Sequence, residues 1–162
     1  MQPSGVCIAW KQAMRGGGHQ YWDLGKPREP CDFEAATTPL STSGNDIAVL
    51  VSACADAEKA VAASDMRDFR AVVRVSRPGT YPHLIRSAGE AVDLAHVVTD
   101  AMRGARDQYP ECRRFHLFAA VPAGAAVLIG QLLNTLGPVQ TYEHIQTGGT
   151  GTYEPAALLV DG

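Results

Sequence analysis

Two short apolar runs constrain this chain more than anything else in it. Ile47-Ala48-Val49-Leu50-Val51 and Phe115-His116-Leu117-Phe118-Ala119-Ala120-Val121 show no regular alternation of polar and apolar positions. A strand without a polar face must be covered on both sides, which is the condition of a central strand in a parallel sheet. Each run leads straight into small residues and then a helix-forming pattern. Ser52-Ala53-Cys54 follows the first, with Ser52 as candidate N-cap and Ala53–Ala63 as the helix. Pro122-Ala123-Gly124 follows the second, and a helical pattern of small and apolar residues runs on to Leu136.

The rest of the chain fits between and around these units. Phe69–Val75 is rich in valine and reads as a strand, broken by Arg77-Pro78-Gly79, and Tyr81–Ile85 reads as a short extended piece. Ser87 with Glu90 forms a capping box. After it Ala91, Leu94, Ala95, Val98 and Met102 recur at helical spacing, until Tyr109-Pro110 ends the pattern. Beyond Gly137-Pro138 comes a strand ending at Tyr142-Glu143, then a turn at Thr147–Thr152 and a last apolar strand. This order predicts an α/β lobe over residues 46–162, with a largely parallel sheet and an antiparallel hairpin at its C-terminal edge. Residues 1–45 read as a leader rich in glycine and proline. It carries Trp10, Trp22 and Tyr21, so part of it is expected to be ordered and packed on the core. Short strands are expected near His19–Leu24 and Phe33–Ala36.

Composition removes several classes of function. A chain of 162 residues, 46% hydrophobic and 19% charged, suits one globular domain and no membrane span. The opening MQPSGVCIAW has no charged region followed by a long apolar core, so it is no signal peptide. A net charge of −3 argues against a protein that coats DNA or RNA, yet permits a small anion held by a few arginines. Cys7, Cys31, Cys54 and Cys112 are scattered without a C-x-x-C pair, which fits reduced thiols in a cytoplasm. The histidines have no metal-binding spacing, so neither metal nor cofactor is expected. There is no P-loop, no G-x-G-x-x-G after a strand and no G-x-S-x-G elbow. Gly148-Gly149-Thr150-Gly151 precedes a strand and reads as a turn. Asp93 and His96 read as a solvated pair on one helix face. His116 reads as a core or interface histidine, and no catalytic residue is assigned.

What remains is a ligand-binding edge. Parallel sheets bind ligands where strands lead into helices, and small residues let a ligand approach the backbone. Open N–H groups at a helix start suit an anion. If the two apolar strands are neighbours, Ser52, Ala53 and Cys54 share one crevice with Pro122, Ala123 and Gly124; the same small residues also suit plain tight turns. Two arginine groups stand out: Arg67, Arg70, Arg74 and Arg77, then Arg103, Arg106, Arg113 and Arg114. Asp65, Asp68, Asp107 and Glu111 interleave with them, which predicts ion-paired surfaces. Arg77, at a strand end beside a Pro-Gly turn, is the exception. Trp10 with Lys11 and Arg15 offers an aromatic to stack a base and cations for phosphate, although packing of Trp10 on the core explains it equally.

Several of these residues carry a family resemblance. Phe115–Ala120 followed by Pro122, Gly130 and Leu133, then Gly137-Pro138-Val139, Tyr142-Glu143 and Tyr153-x-Pro155-Ala156, resemble the C-terminal part of SAVED domains. Those domains are sensors of cyclic oligonucleotides in bacterial anti-phage signalling. Ile47–Ser52 resembles the first strand of the same lobe, so the resemblance spans residues 46–159. It implies a Rossmann-like (CARF-like), mostly parallel sheet flanked by helices. It also implies a cyclic di-, tri- or tetranucleotide bound between two such lobes, driving homo-oligomerisation and activating an effector. Here one lobe is present, which leaves three readings: a fragment, a split sensor subunit, or a lobe that completes its pocket by self-association, with a separate effector protein or second lobe as the expected partner. The resemblance turns Ser52–Cys54 and Pro122–Gly124 toward the nucleotide, with Arg77, Trp10 and Lys11 as further candidate contacts. Two other readings stay open: slow cleavage of the cyclic messenger, drawing on Ser52, Cys54 or His116, and a scaffold lobe indifferent to any nucleotide.

Overall fold

The computed structural model describes residues 8–64, 68–147 and 149–160. In chain order the elements are β1 (Trp10–Ala13), β2 (His19–Trp22), β3 (Glu34–Pro39), β4 (Asp46–Ser52), α1 (Ala57–Ala62), β5 (Ala71–Ser76), α2 (Ala88–Gln108), β6 (Arg114–Ala120), α3 (Ala123–Leu132), β7 (Val139–Thr147) and β8 (Thr150–Leu159). A short 3-10 turn, Leu133–Thr135, extends α3. Six strands form one sheet in the order β3-β5-β4-β6-β7-β8, while β1 and β2 form a separate hairpin. Strands β5, β4, β6 and β7 are mutually parallel, and β3 and β8 close the two edges antiparallel. The expected α/β architecture with its C-terminal edge hairpin is thus the one observed.

The two apolar runs are neighbours at the sheet's centre, paired from Asp46↔Arg114 to Ser52↔Ala120. Their burial on both faces follows from the crossovers. The chain moves from β4 one way to β5 through α1, then back past β4 to β6 through α2, and onward to β7 through α3. Right-handed crossovers running in opposite directions place their helices on opposite faces. Accordingly Ile47, Val49, Val51, Val73, Phe115 and Leu117 pack with the apolar faces of α2 and α3. The alternate residues Ala48, Leu50, Val72 and Phe118 pack with Ala57 of α1. Six residues of α1 cannot cover that second face alone. The β7–β8 hairpin completes it, laying Tyr142 and Tyr153 against Phe118 at ring-centroid distances of 4.2 and 5.3 Å.

Several local expectations differ from the structure. The helix expected at Ala53–Ala63 is shorter, Ala57–Ala62, and its N-cap is Asp56, whose carboxylate accepts from Glu58 N at 3.0 Å. The amides of Ala53 and Cys54 both donate to Ala120 O, at 3.0 and 2.7 Å. That cross-strand tie holds the backbone out of the helix until Asp56. Ser52 Oγ instead accepts from Ala57 N at 3.0 Å, bracing the helix start from the strand end. Tyr81–Ile85 forms no strand but an irregular loop containing the cis Tyr81–Pro82 bond. Strand β7 continues past Glu143 to Thr147, leaving a tighter turn in which Gly149 takes φ 90°; Gly148 lies outside the described residues.

Residues before Asp46 are woven into the body. Trp22 is 1% exposed within the same core as α2 and α3, and β3 pairs with β5 over its full length. Between them residues 26–33 cross the start of α2. Glu29 N donates to Gly89 O, the Ser87 hydroxyl bonds the Glu29 carboxylate, and Asp93 receives both the Arg28 guanidinium (2.8 Å) and Cys31 N (3.1 Å). Gly89 admits this crossing because a Cβ there would lie 2.6 Å from Pro27 O. Glu90, the expected capping-box partner, takes Arg86 N at 2.7 Å, while Ser87 Oγ accepts from Glu90 N.

The strap makes stability depend on acid. Burial pushes the Asp93 carboxyl up, but hydrogen bonds from Arg28 and Cys31 and the Arg28 charge outweigh it and hold the group below its ordinary range. A carboxyl depressed on folding contributes fully above its unfolded pKa of about 4, and that contribution is lost as pH falls through the folded value. Asp93→Asn is therefore expected to destabilise the protein at pH 7, with the gap to the parent narrowing below about pH 4. Urea melts at pH 7 and pH 3 check this; a gap independent of pH would contradict it.

Candidate functional site

Because β4 and β6 are adjacent and their helices leave to opposite faces, the carboxyl ends of these strands form the topological switch point of the sheet. Such a point is where open α/β sheets bind ligands. The Ser52–Cys54 and Val121–Gly124 loops meet there through the shared Ala120 carbonyl. A cavity of about 250 Å³ opens beside them, lined by Cys54, Asp56, Ala120, Val121, His144 and Tyr153. The last two come from the C-terminal hairpin, whose curl over the sheet brings them in. Their local sequence carries no signal of this. Desolvation pushes the Cys54 thiol up, away from the thiolate a nucleophile needs.

The start of α3 is already occupied. Pro122 caps it without a side-chain hydrogen bond, and Gly124 N donates to the Gln12 carboxamide oxygen at 3.1 Å. Trp10 and Trp22, directly paired across the β1–β2 hairpin, close over the same glycine. The structure therefore brings Trp10 together with Pro122, Ala123 and Gly124. Lys11, next in the strand, leaves the opposite face of the hairpin and is exposed. Gln12, the residue that meets the helix amide, had no distinguishing sequence signal.

Arg77 lies on the far side of Ser52–Cys54. Its guanidinium sits 5.2 Å over the Phe33 ring and donates to Cys31 O (3.2 Å) and Leu84 O (3.0 Å). It braces a loop, residues 77–86, that encloses a cup of about 470 Å³. His83 anchors this loop to the switch point, its amide donating to Ala53 O at 2.8 Å. Its ring is 6% exposed and packs edge-on to Phe33 (6.1 Å) and obliquely to Tyr81 (4.6 Å).

Other candidates are accounted for by structure. His116 is 1% exposed and bonds Asp46 Oδ2 at 2.8 Å and the Tyr142 hydroxyl at 2.7 Å, with Phe69 edge-on at 5.2 Å. Both ring nitrogens are engaged, so it is a core histidine stitching β4, β6 and β7. Arg70 pairs with Glu111, Arg74 with Glu58 and Arg103 with Asp100, at 2.9, 2.6 and 2.8 Å. Arg106 stacks over Phe115. Asp93 pairs with Arg28 across the chain and not with His96 on its own helix. Arg67, Asp65 and Cys7 lie outside the described residues. Cys31, Cys54 and Cys112 are free thiols; burial pushes Cys31 up to about 11. Among the described residues no group of histidine, cysteine or acidic side chains could hold a metal. None of the described helices is long and apolar enough to cross a membrane.

Comparison with known proteins gives this geometry a context. The family model of the SMODS-associated and fused to various effectors sensor domain, SAVED, matches residues 2–159. No protein of curated function matches the sequence. The fold is similar to that of the Acinetobacter baumannii Cap4 SAVED/CARF-domain containing receptor with the cyclic trinucleotide 3'3'3'-cAAA. That likeness has a TM-score of 0.73 at 15% identity, over 94% of this chain and 33% of that one. The same receptor with 2'3'3'-cAAA gives 0.70 at 17% identity, over 87% of this chain and 30% of the other. The Moraxella osloensis Cap4 receptor gives 0.53 at 14% identity, over 86% and 28%. The chain thus spans about a third of the length of these receptors.

A Cβ at Gly124 would lie 2.6 Å from Trp22 Cε3 and 2.9 Å from both Gln12 Oε1 and Trp10 Cδ1. Gly124→Ala is expected to push the hairpin off α3 and lower stability by roughly 1–3 kcal/mol. Faster amide hydrogen exchange confined to residues 10–22 checks the mechanism. An unchanged melt and exchange pattern would show that the hairpin is not seated on this helix.

Proposed function

This chain belongs to the SAVED family, and on that premise we propose that it is a lobe of a cyclic-oligonucleotide sensor. The observation that carries the reading is the family match over nearly the whole chain, joined to a switch point where the β4 and β6 loops meet. The ligand is a cyclic di-, tri- or tetranucleotide. The Acinetobacter receptor of similar fold holds cyclic trinucleotides of adenosine, which makes that ring the first to try. It binds across the carboxyl edge of the sheet, between the Ser52–Cys54 loop and the loops on either side, including Arg77. A second lobe, from another copy or another chain, completes the pocket.

Signalling then works by population shift. A ring that contacts two lobes at once favours the assembled state by its differential affinity, and the assembled state switches on a separate effector in anti-phage defence. The protein works in the cytoplasm, where free thiols such as Cys31, Cys54 and Cys112 persist. It performs no catalysis of its own. Support comes from the two side chains best suited to lead a cleavage: Cys54 is held as a thiol, and His116 has both ring nitrogens bonded.

A ligand that binds only the folded state at 100 times its Kd stabilises it by about 2.7 kcal/mol. For a chain of this size that is a rise of roughly 5–10 °C in melting midpoint. A panel of cyclic di-, tri- and tetranucleotides is expected to give such a shift with a matching ring, together with a larger particle by light scattering. The ring should be recovered intact by chromatography. No shift with any ring would overturn a pocket that copies of this chain complete between themselves, and a linear product would replace the sensor reading with the cleavage reading.

A further inference from the structure

The loop at residues 77–86 has features that its role as a brace leaves unexplained. Tyr81 is a large aromatic side chain 39% exposed at the carboxyl edge of the sheet. It nonetheless has a fixed neighbour, because its ring packs obliquely against buried His83 at 4.6 Å, which is itself held edge-on by Phe33. A part-exposed ring with such a contact has less mobility to lose on stacking than a free side chain. Arg86 lines the same cup, is exposed, and has no ion-pair partner among the described residues. Arg70, Arg74 and Arg103, by contrast, are all paired. Arg77 adds a second cation at the cup wall with its position locked by two carbonyls. Gly79, at φ 117°, leaves the backbone bare for close approach.

The buried ring of His83 supplies an independent sign. Its Nε2 has no hydrogen-bond partner among the described residues, although the residue is 6% exposed. Buried polar groups without partners are uncommon, and each calls for an explanation. The ring edge lies under Gly79, whose Cβ position would be 3.6 Å from His83 Cε1. A ribose hydroxyl or phosphate oxygen settling over Gly79, with a small adjustment of the loop, would supply the missing partner. Asp32 lines the same cup and offers an acceptor for an exocyclic amine.

We propose that the 77–86 loop is a single-nucleotide subsite, stacking an amino-bearing nucleobase on Tyr81 and taking the adjoining phosphate on Arg86 and Arg77. The inference rests on the sensor reading above and gives that ligand a specific seat, one strand away from the switch-point crevice. The cup, at about 470 Å³, is the roomier of the two. Stacking on an aromatic accepts any base, so it supplies affinity. Asp32 favours adenine, cytosine or guanine over uracil.

The test is an amide NMR titration of the chain with 3'3'3'-cAAA, and separately with millimolar AMP and UMP. Both cAAA and AMP are expected to shift Gly79, Thr80, Tyr81 and Leu84, with UMP weaker. Tyr81→Ala and Arg86→Glu are expected to weaken cAAA binding about 5- to 100-fold, and Tyr81→Phe to retain it. Arg86 is exposed, so the melt of Arg86→Glu should match the parent and separates lost binding from the packing on His83 that Tyr81→Ala also removes. Binding of cAAA with shifts confined to Cys54, Ala120 and His144, unaffected by Tyr81→Ala, would overturn the subsite and leave the sensor reading intact. AMP in the cup with no ring bound would support the subsite and overturn a ring pocket completed by copies of this chain alone. No response at 77–86 to either probe would overturn the subsite.

Discussion

The pairing of β4 with β6 is the constraint on which the rest of the molecule depends. Both strands are apolar on both faces, so each face needs its own cover, and the crossovers that supply it must leave in opposite senses. The same requirement creates the site. Where one helix departs to each face the sheet edge opens, and the tie from Ala53 and Cys54 to Ala120 O sets how far. Register is pinned at the other end by the Asp46–His116–Tyr142 chain, which crosses three strands within the aromatic face. A slip by one residue would turn His116 to the helix face and leave it without partners.

The segment before Asp46 changes what the edge can present. By burying Trp22 in the core beside α3 and setting Gln12 against the Gly124 amide, the β1–β2 hairpin takes the part of an anion at that helix start. Charge is distributed on the same principle. Some arginines near the sheet are neutralised by carboxylates on neighbouring elements, as Arg74 is by Glu58 and Arg70 by Glu111. Arg77 and Arg86 stand together on the loop after β5. The arginines of this edge therefore lie off the centre of the switch point, on the side of β5, while the crevice between β4 and β6 is lined by Ala119, Ala120 and Val121 together with Asp56, His144 and Tyr153. That asymmetry suits a ring-shaped ligand whose nucleotides meet different surfaces of an assembled pocket.

The chain's own pattern was enough to read the layered α/β plan, because burial on two faces, helical spacing and capping are local statements of hydrophobicity and backbone geometry. It was enough to mark Ser52–Cys54 and Pro122–Gly124 as strand-to-helix loops, and to read His116 as a core residue from its apolar neighbours. The six central and edge strands and both long helices follow from such signals, within a few residues at their ends. Where the helix after Ser52 begins was not legible. That is decided by the carbonyl of Ala120, 67 residues away in the chain, which captures the amides that would have started the helix.

Tertiary structure alone settled which of the marked residues stand together. Gln12 reaches Gly124, Tyr153 and His144 reach the Cys54 loop, and Cys31 and Leu84 hold Arg77, all through contacts between segments distant in sequence. No periodicity encodes such meetings, since they depend on strand order and on which face each crossover takes. The sequence by itself determined that this protein has a buried, mostly parallel sheet with loops of small residues at its edge. Only the folded chain decided that one helix start is filled by its own hairpin, and that Arg86 and the exposed Tyr81 ring lie together on the loop after β5. The physical reason is that burial propensity is carried by each residue, whereas electrostatic pairing and site geometry belong to neighbours in space.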